Sequence, residues 1–216
     1  MKLIDNKFYI PDNMEQYLGD NNELPESTVI EWCKNNIDSS KCFVDIGAHV
    51  GTYTWSVAPY CKEVIAFEPT KHIYNILCGN IALSNLSSKV TTYNVPLSYQ
   101  TKEVTFHERA DDGGTNGLNT PYLTESYDSY KVETQTLDSY VIENIGLIKI
   151  DVEGHEYEVL QGAKRTIIQN KYPPIIFECW DIPELKERLW AFLKDMGYSI
   201  STASSLEMYI AHKEKQ

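Results

Sequence analysis

The segment Val44-Asp45-Ile46-Gly47-Ala48-His49-Val50-Gly51 constrains this chain more than any other. An apolar run, Cys42-Phe43-Val44, enters an acid and then two glycines four positions apart, and Thr52 to Ala58 reads as the opening turns of a helix. A strand that breaks at glycine and restarts as a helix is the first crossover of a nucleotide-binding α/β sheet. A dinucleotide fingerprint needs G-x-G-x-x-G, whose middle glycine lets backbone approach a pyrophosphate. Here Ala48 and His49 fill that gap. The pattern suits a nucleoside ligand with no phosphate to cradle, and S-adenosylmethionine is the common one.

The rest of the chain repeats the strand-then-helix rhythm. Strands are expected at Lys7–Ile10, Cys42–Ile46, Glu63–Glu68, Val90–Leu97, Leu147–Asp151 and Pro173–Glu178. Helices are expected from Pro25 to about Asn36, over His72–Leu83, from about Tyr157 to Asn170, and over Pro183–Met196. Glu103–His107 and Lys131–Thr136 alternate like more exposed strands, and Asp111–Gly117 between them is a glycine-rich loop. Ser199 onward, with Met208–Ala211, reads as a closing hairpin. Alternating strands and helices argue for a parallel sheet covered on both faces, with an antiparallel element at its end. No repeat or linker interrupts 216 residues, so one domain spanning 1–216 is expected, with residues 1–40 as an extension able to cover an acceptor site.

Charge narrows the partners. Nineteen basic against 31 acidic side chains leave a net charge of −12 with no basic cluster, a poor match to a phosphate backbone, so no nucleic-acid partner is expected. No apolar stretch approaches the roughly 20 residues of a membrane span, and Met1–Asn6 lacks an apolar signal core. The five cysteines show no C-x-x-C spacing, and Cys42 and Cys179 sit inside apolar runs as small hydrophobes do. A reducing, cytoplasmic setting without structural zinc is expected.

Ligands of open parallel sheets lie at the carboxyl ends of the strands. Four expected strands end there in acids: Asp45, Glu68, Asp151 with Glu153, and Glu178. Glu68 can accept both ribose hydroxyls of a nucleoside and would repel a 2′-phosphate. Asp45 is expected beneath the amino-acid end of the cofactor, with Gly47 and Gly51 letting backbone approach. Asn94 could face the adenine, or serve as a turn former before Val95-Pro96.

Residues 147–163 form the second unusual block, with Asp151, Glu153, His155 and Glu156 bracketed by apolar runs. Crowded acids disfavour one another's ionisation, and such a carboxylate could take a proton from an attacking hydroxyl. His155 titrates in the range for the same work. The plainer alternative makes Glu153 and Glu156 caps of the next helix and His155 a surface neighbour. Asp151, Glu153 and Glu178 are also hard-oxygen ligands of the kind divalent cations take, but their spacing demands none and no metal is predicted.

At these residues the chain resembles the FkbM-type S-adenosylmethionine-dependent methyltransferases. Ile148-Lys149-Ile150-Asp151-Val152-Glu153-Gly154-His155-Glu156, followed by Val159-Leu160-Gln161-Gly162-Ala163, matches that family's K-I-D-V-E-G-x-E…L-x-G-A block. Asp45–Gly51 and Ala66-Phe67-Glu68-Pro69 match its cofactor motifs in order, and Thr136–Tyr140 the segment before the block. The resemblance implies a class I methyltransferase fold, a Rossmann-like α/β sheet of seven mostly parallel strands with one antiparallel and helices on both faces. It also implies methyl transfer to a hydroxyl of a sugar or of a polyketide-type natural product. Carried over, Asp45, Gly47 and Gly51 contact the cofactor's methionine half and Glu68 the ribose, Ala48 also belongs to the cofactor site, and Asp151 and Glu153 lie beside the transferred methyl. Pro96 departs from the usual small residue, which leaves the Asn94 adenine edge open.

The expected function is therefore O-methylation of a sugar or glycoside, with Asp151, then His155, then Glu153 as the base. The Asp111–Asn119 loop and the N-terminal region would hold the acceptor. Fifteen tyrosines and four tryptophans supply faces that pack on sugar C–H surfaces. The rivals are an O-methyltransferase of a non-sugar product, a non-catalytic cofactor-binding scaffold and an NAD-dependent oxidoreductase.

Overall fold

A computed structural model describes residues 2–5, 7–12, 15, 18, 23–109, 116–118, 127–204 and 207–213. In chain order, β1 (Lys2–Ile4) and β2 (Phe8–Ile10) pair as an antiparallel hairpin. There follow α1 (Ser27–Asn36), β3 (Cys42–Ile46), α2 (Thr52–Val57), β4 (Glu63–Phe67), α3 (Lys71–Leu83) and β5 (Val90–Tyr93). Next come β6 (Lys102–Arg109), β7 (Tyr127–Thr134), β8 (Ile145–Ile150), α4 (Glu156–Gln161) and α5 (Lys164–Gln169). The chain then runs through β9 (Ile175–Glu178), α6 (Pro183–Asp195), β10 (Ser199–Thr202) and β11 (Met208–His212).

Seven of these strands form one sheet in the order β10-β11-β9-β8-β3-β4-β5. β3, β4, β5, β8 and β9 run parallel, and β11 is antiparallel to both its neighbours. This is the class I arrangement, with one antiparallel strand. The chain winds outward from β3 toward β5, then restarts at β8 and winds the other way. The crevice of such a sheet therefore opens above the β3–β8 junction.

Side chains alternate across the strands as the two-residue period requires. Val44, Ile46, Ile148, Ile150, Ile175 and Phe177 pack with Val159 and Leu160 of α4, Ile167 of α5, and Leu189 and Leu193 of α6. Phe43, Val64, Ala66, Leu147 and Ile176 pack on the other face with residues of α1, α2 and α3. Burial on both faces is why these strands read as unbroken apolar runs. No disulfide joins the cysteines; Cys33, Cys42, Cys61 and Cys179 are buried thiols and Cys78 is half-buried.

Two expectations need correction, and two further features were not anticipated. The helix expected over 157–170 is two, α4 and α5, divided at Gly162-Ala163. A Cβ on Gly162 would fall 2.0 Å from the Ser98 carbonyl oxygen, so another chain segment crosses at this point. The Asp138 carboxylate then accepts the N–H groups of Arg165 and Thr166 at 3.1 and 2.7 Å, starting α5 afresh. The strand expected to reach Leu97 stops at Tyr93, and Leu97 makes only an isolated parallel bridge to Gln135. β6 and β7 form a separate two-stranded sheet. The unexpected β1 completes the N-terminal hairpin. Of the glycine-rich loop, only residues 116–118 lie within the described part of the chain. Among the described residues no helix is long and apolar enough to cross a membrane.

Candidate active site

A cavity of about 730 Å³ opens over the carboxyl ends of β3, β4, β8 and β9. Its floor is the turn after β3. Gly47 adopts φ +75°, and a Cβ there would lie 1.7 Å from the Asp151 carbonyl oxygen. Glycine is needed because β8 leaves the sheet directly against this turn. The N–H groups of Gly47 and Ala48 both donate to the Phe67 carbonyl, at 3.0 and 2.9 Å, which pins the turn to the end of β4. Both residues line the cavity.

Gly51 does not line it. It starts α2 with φ +95°, and a Cβ would meet Leu77 of α3 at 2.6 Å, so its smallness serves helix packing rather than ligand approach. Asp45 is also below the cavity wall rather than on it. It is fully buried and accepts the Thr54 hydroxyl on Oδ2 at 2.6 Å. Burial pushes its carboxyl pKa up, opposed by Lys149 and by the Thr54 hydrogen bond.

Lys149 is a candidate site residue that sequence reasoning passed over. Its side chain is 3% exposed, one residue before the end of β8. Nζ donates to the Gly47 carbonyl at 2.8 Å, lies 3.2 Å from Asp151 Oδ2 and 3.8 Å from Asp45 Oδ1, and sits 5.2 Å above the Tyr53 ring. Burial alone would lower its pKa. The carboxylates of Asp151, Asp45 and Glu26 outweigh that and raise it. One ammonium thus joins the β3 turn, the buried Asp45 and the acid that ends β8. A lysine inside Leu147-Ile148-Lys149-Ile150 was the available signal, since a charge in an apolar strand is costly unless paired.

Glu68 follows β4 and is buried. Its Oε2 accepts the His49 N–H at 2.9 Å and its Oε1 the Thr70 N–H at 2.8 Å. Burial pushes its carboxyl up to about 7 against those hydrogen bonds. Each oxygen keeps a second lone pair, so a diol could still be accepted. Asn94, expected as either an adenine contact or a turn former, spends its amide on the backbone. Its amide donates to the carbonyls of Glu68 and Pro69, both at 2.8 Å, outside the cavity lining, and so braces the β4 end. The wall there is Val95, Pro96 and Leu97, an apolar edge suited to the face of a base.

At the other side of the cavity the acids converge. Ligand oxygens of Asp151, Glu153 and Glu178 lie within 4.8 Å of one another. Glu153 takes φ +56° and Gly154 φ +85°, a left-handed pair that reverses the chain after β8. Glu156 holds this reversal by accepting the N–H groups of Val152 and Gly154 at 3.0 and 3.3 Å, and burial lifts its carboxyl to about 7. Burial, followed by the charges of Asp151, Glu153 and Glu156, pushes Glu178 up to about 10. The trio is a hard-oxygen set that fits a divalent cation.

His155 lines the same cavity at the start of α4. Its Nε2 is 2.9 Å from the Ser98 hydroxyl, and its Nδ1 is 3.6 Å from Glu158. Burial lowers its pKa against the Glu158 charge. Asp151, Glu153 and His155 therefore share one site. From before the first core strand, Glu26 reaches the cavity too, its carboxylate accepting the Tyr53 hydroxyl at 2.6 Å.

Comparison with known proteins identifies the family and the fold. Residues 45–200 match the methyltransferase FkbM domain. A curated relative, methyltransferase sdnD of Sordaria araneosa, is 24% identical over 77% of this chain and 76% of its own length. Among solved structures, methyltransferase FkbM of Methylobacillus flagellatus superposes with a TM-score of 0.59 at 18% identity. That match covers 80% of this chain but 43% of the Methylobacillus chain, so this chain spans less than half of it. A Streptococcus mutans protein solved in complex with SAH superposes with a TM-score of 0.55 at 12% identity, covering 85% of this chain and 94% of its own. With the FkbM domain matched over most of its length, and the class I sheet and strand-end acids in place, the chain belongs to the FkbM methyltransferase family.

Proposed function

We propose that this chain is an S-adenosylmethionine-dependent O-methyltransferase and that its acceptor is a hydroxyl of a sugar or glycoside. The observation that carries the reading is the meeting of Asp151, Glu153 and Glu178 within 4.8 Å beside a nucleoside-sized cavity. A methyl acceptor of low acidity needs a base at that place, and a sugar hydroxyl is such an acceptor. The SAH bound by the Streptococcus mutans protein of the same fold supports the cofactor.

The residues present fit the cofactor. Gly47, with no space for a side chain, and Ala48 give a flat backbone floor, Glu68 offers acceptors for the ribose hydroxyls, and Val95–Leu97 an apolar edge. S-adenosylmethionine supplies an electrophilic methyl group on a sulfonium. The chain's task is then to hold the acceptor oxygen in line and remove its proton. Asp151 takes that proton on a carboxylate oxygen while Lys149 fixes the carboxylate's position. Burial and the neighbouring acids push the Glu178 carboxyl up to about 10, which leaves Asp151 as the proton acceptor of the trio. His155, engaged by Ser98 and Glu158, ranks behind Asp151 and orients the wall.

Transfer of isotope-labelled methyl from S-adenosylmethionine to a panel of sugars, glycosides and phenols, with and without chelator, tests the proposal. Label on a sugar oxygen is expected. Cofactor binding with no product on any acceptor would turn the reading toward a non-catalytic scaffold. Abolition by chelator alone would assign the acid trio to a cation.

A further inference from the structure

The cavity has two chemically different ends. Glu68, Thr70 and Val95–Leu97, at the ends of β4 and β5, form the nucleoside end. Beside the Gly47 turn lie Glu26, Tyr53, Lys149 and Asp151, and with the ribose at Glu68 the amino-acid half of the cofactor would reach this end. That half carries an ammonium group, and a cation leaving water for a partly enclosed site needs an anion. Asp45 does not serve, because it lies below the wall with Thr54 and Lys149 as partners. Asp151 is ion-paired to Lys149 and joined to the acid trio on the acceptor side.

Glu26 remains. It precedes the matched family segment, at the start of α1, and its backbone holds φ +56°, a conformation that costs a non-glycine residue free energy. The Tyr53 hydroxyl bonds Oε2 at 2.6 Å and sets the carboxylate's orientation at the cavity wall. We infer that Glu26 is the anionic contact for the α-ammonium group of the cofactor, so that a residue outside the family segment completes its binding site. The inference rests on the proposed S-adenosylmethionine site.

Binding titrations of wild type, Glu26→Gln and Tyr53→Phe with three probes test it: S-adenosylhomocysteine, its analogue lacking the α-amino group, and 5′-methylthioadenosine. Loss of one charge-assisted contact should weaken S-adenosylhomocysteine roughly 10- to 100-fold in Glu26→Gln. The deamino analogue and methylthioadenosine should bind that variant as they bind wild type, which also shows that the variant is folded. Tyr53→Phe should show the same selectivity with a smaller loss. Equal weakening of all three probes, or no weakening of S-adenosylhomocysteine, overturns the assignment of Glu26. Wild type that binds none of the three overturns the cofactor reading beneath it.

Discussion

Replacing Lys149 by methionine tests the buried charge network of this architecture directly. Methionine keeps the length and apolar stem but removes an ammonium that lies 2.8 Å from the Gly47 carbonyl, 3.2 Å from Asp151 and 3.8 Å from Asp45. Asp45 is fully buried, so it must then either remain charged without a counter-ion or bind a proton. Breaking a buried pair from one side costs about 3–5 kcal/mol. The charge-assisted bond to Gly47 is part of that figure, at about 1.5–3 kcal/mol. For a chain of this size, roughly 2–4 °C per kcal/mol gives a midpoint lowered by about 6–20 °C. Denaturant and thermal unfolding of Lys149→Met, Asp45→Asn and the double variant provide the assay. The double variant should recover part of the loss, because the orphaned charge has gone with its partner. The single variant should also lose less at acid pH, where Asp45 takes up a proton. A Lys149→Met cost below about 1 kcal/mol, or a double variant with the summed loss of the two singles, would refute the reasoning.

Four further outcomes follow from the same geometry. Gly47→Ala should unfold the chain or cost more than about 4 kcal/mol, since its Cβ would sit 1.7 Å from the Asp151 oxygen. Gly79→Ala in α3, where a Cβ meets nothing within 4 Å, should instead stabilise by about 0.5–1 kcal/mol in the same unfolding assay. Glu156 is held near 7 in the fold against an ordinary 4.5, so its favourable contribution is complete below pH 4.5 and lost as pH rises toward 7. Glu156→Gln should therefore gain on wild type across that window by up to about 3 kcal/mol, read from denaturation at pH 4.5 and 7.5. Asp151→Asn should lower kcat by roughly 10²- to 10⁴-fold while S-adenosylhomocysteine affinity stays within about threefold, measured by turnover and calorimetry.

The sheet was legible because its central strands are buried on both faces and so read as apolar runs ended by acids. Cys42–Ile46, Glu63–Phe67 and Ile175–Glu178 lie where that pattern puts them. The break between α4 and α5 was not legible, because it depends on a distant segment: the Ser98 carbonyl presses on Gly162, and Asp138 supplies the new cap. Asp45 and Gly51 stand in the right motif, yet they act one layer beneath the cavity, on Thr54 and Lys149 and on Leu77. Local sequence cannot separate a residue that lines a turn from one that supports it. Asn94 illustrates the same limit, since its amide is taken by carbonyls from the neighbouring strand's end. Glu26 was read only as a helix start, because nothing local announces that its side chain meets Tyr53 in the cavity.

The central claim is that the cavity above β3, β4 and β8 seats an adenosyl cofactor through Glu68. Calorimetric titration of S-adenosylhomocysteine and of NAD into wild type and Glu68→Gln tests it most directly. The account predicts saturable binding of S-adenosylhomocysteine, none of NAD, and a loss of roughly 10- to 100-fold in the variant. Tight NAD binding, or S-adenosylhomocysteine binding indifferent to Glu68, would contradict it.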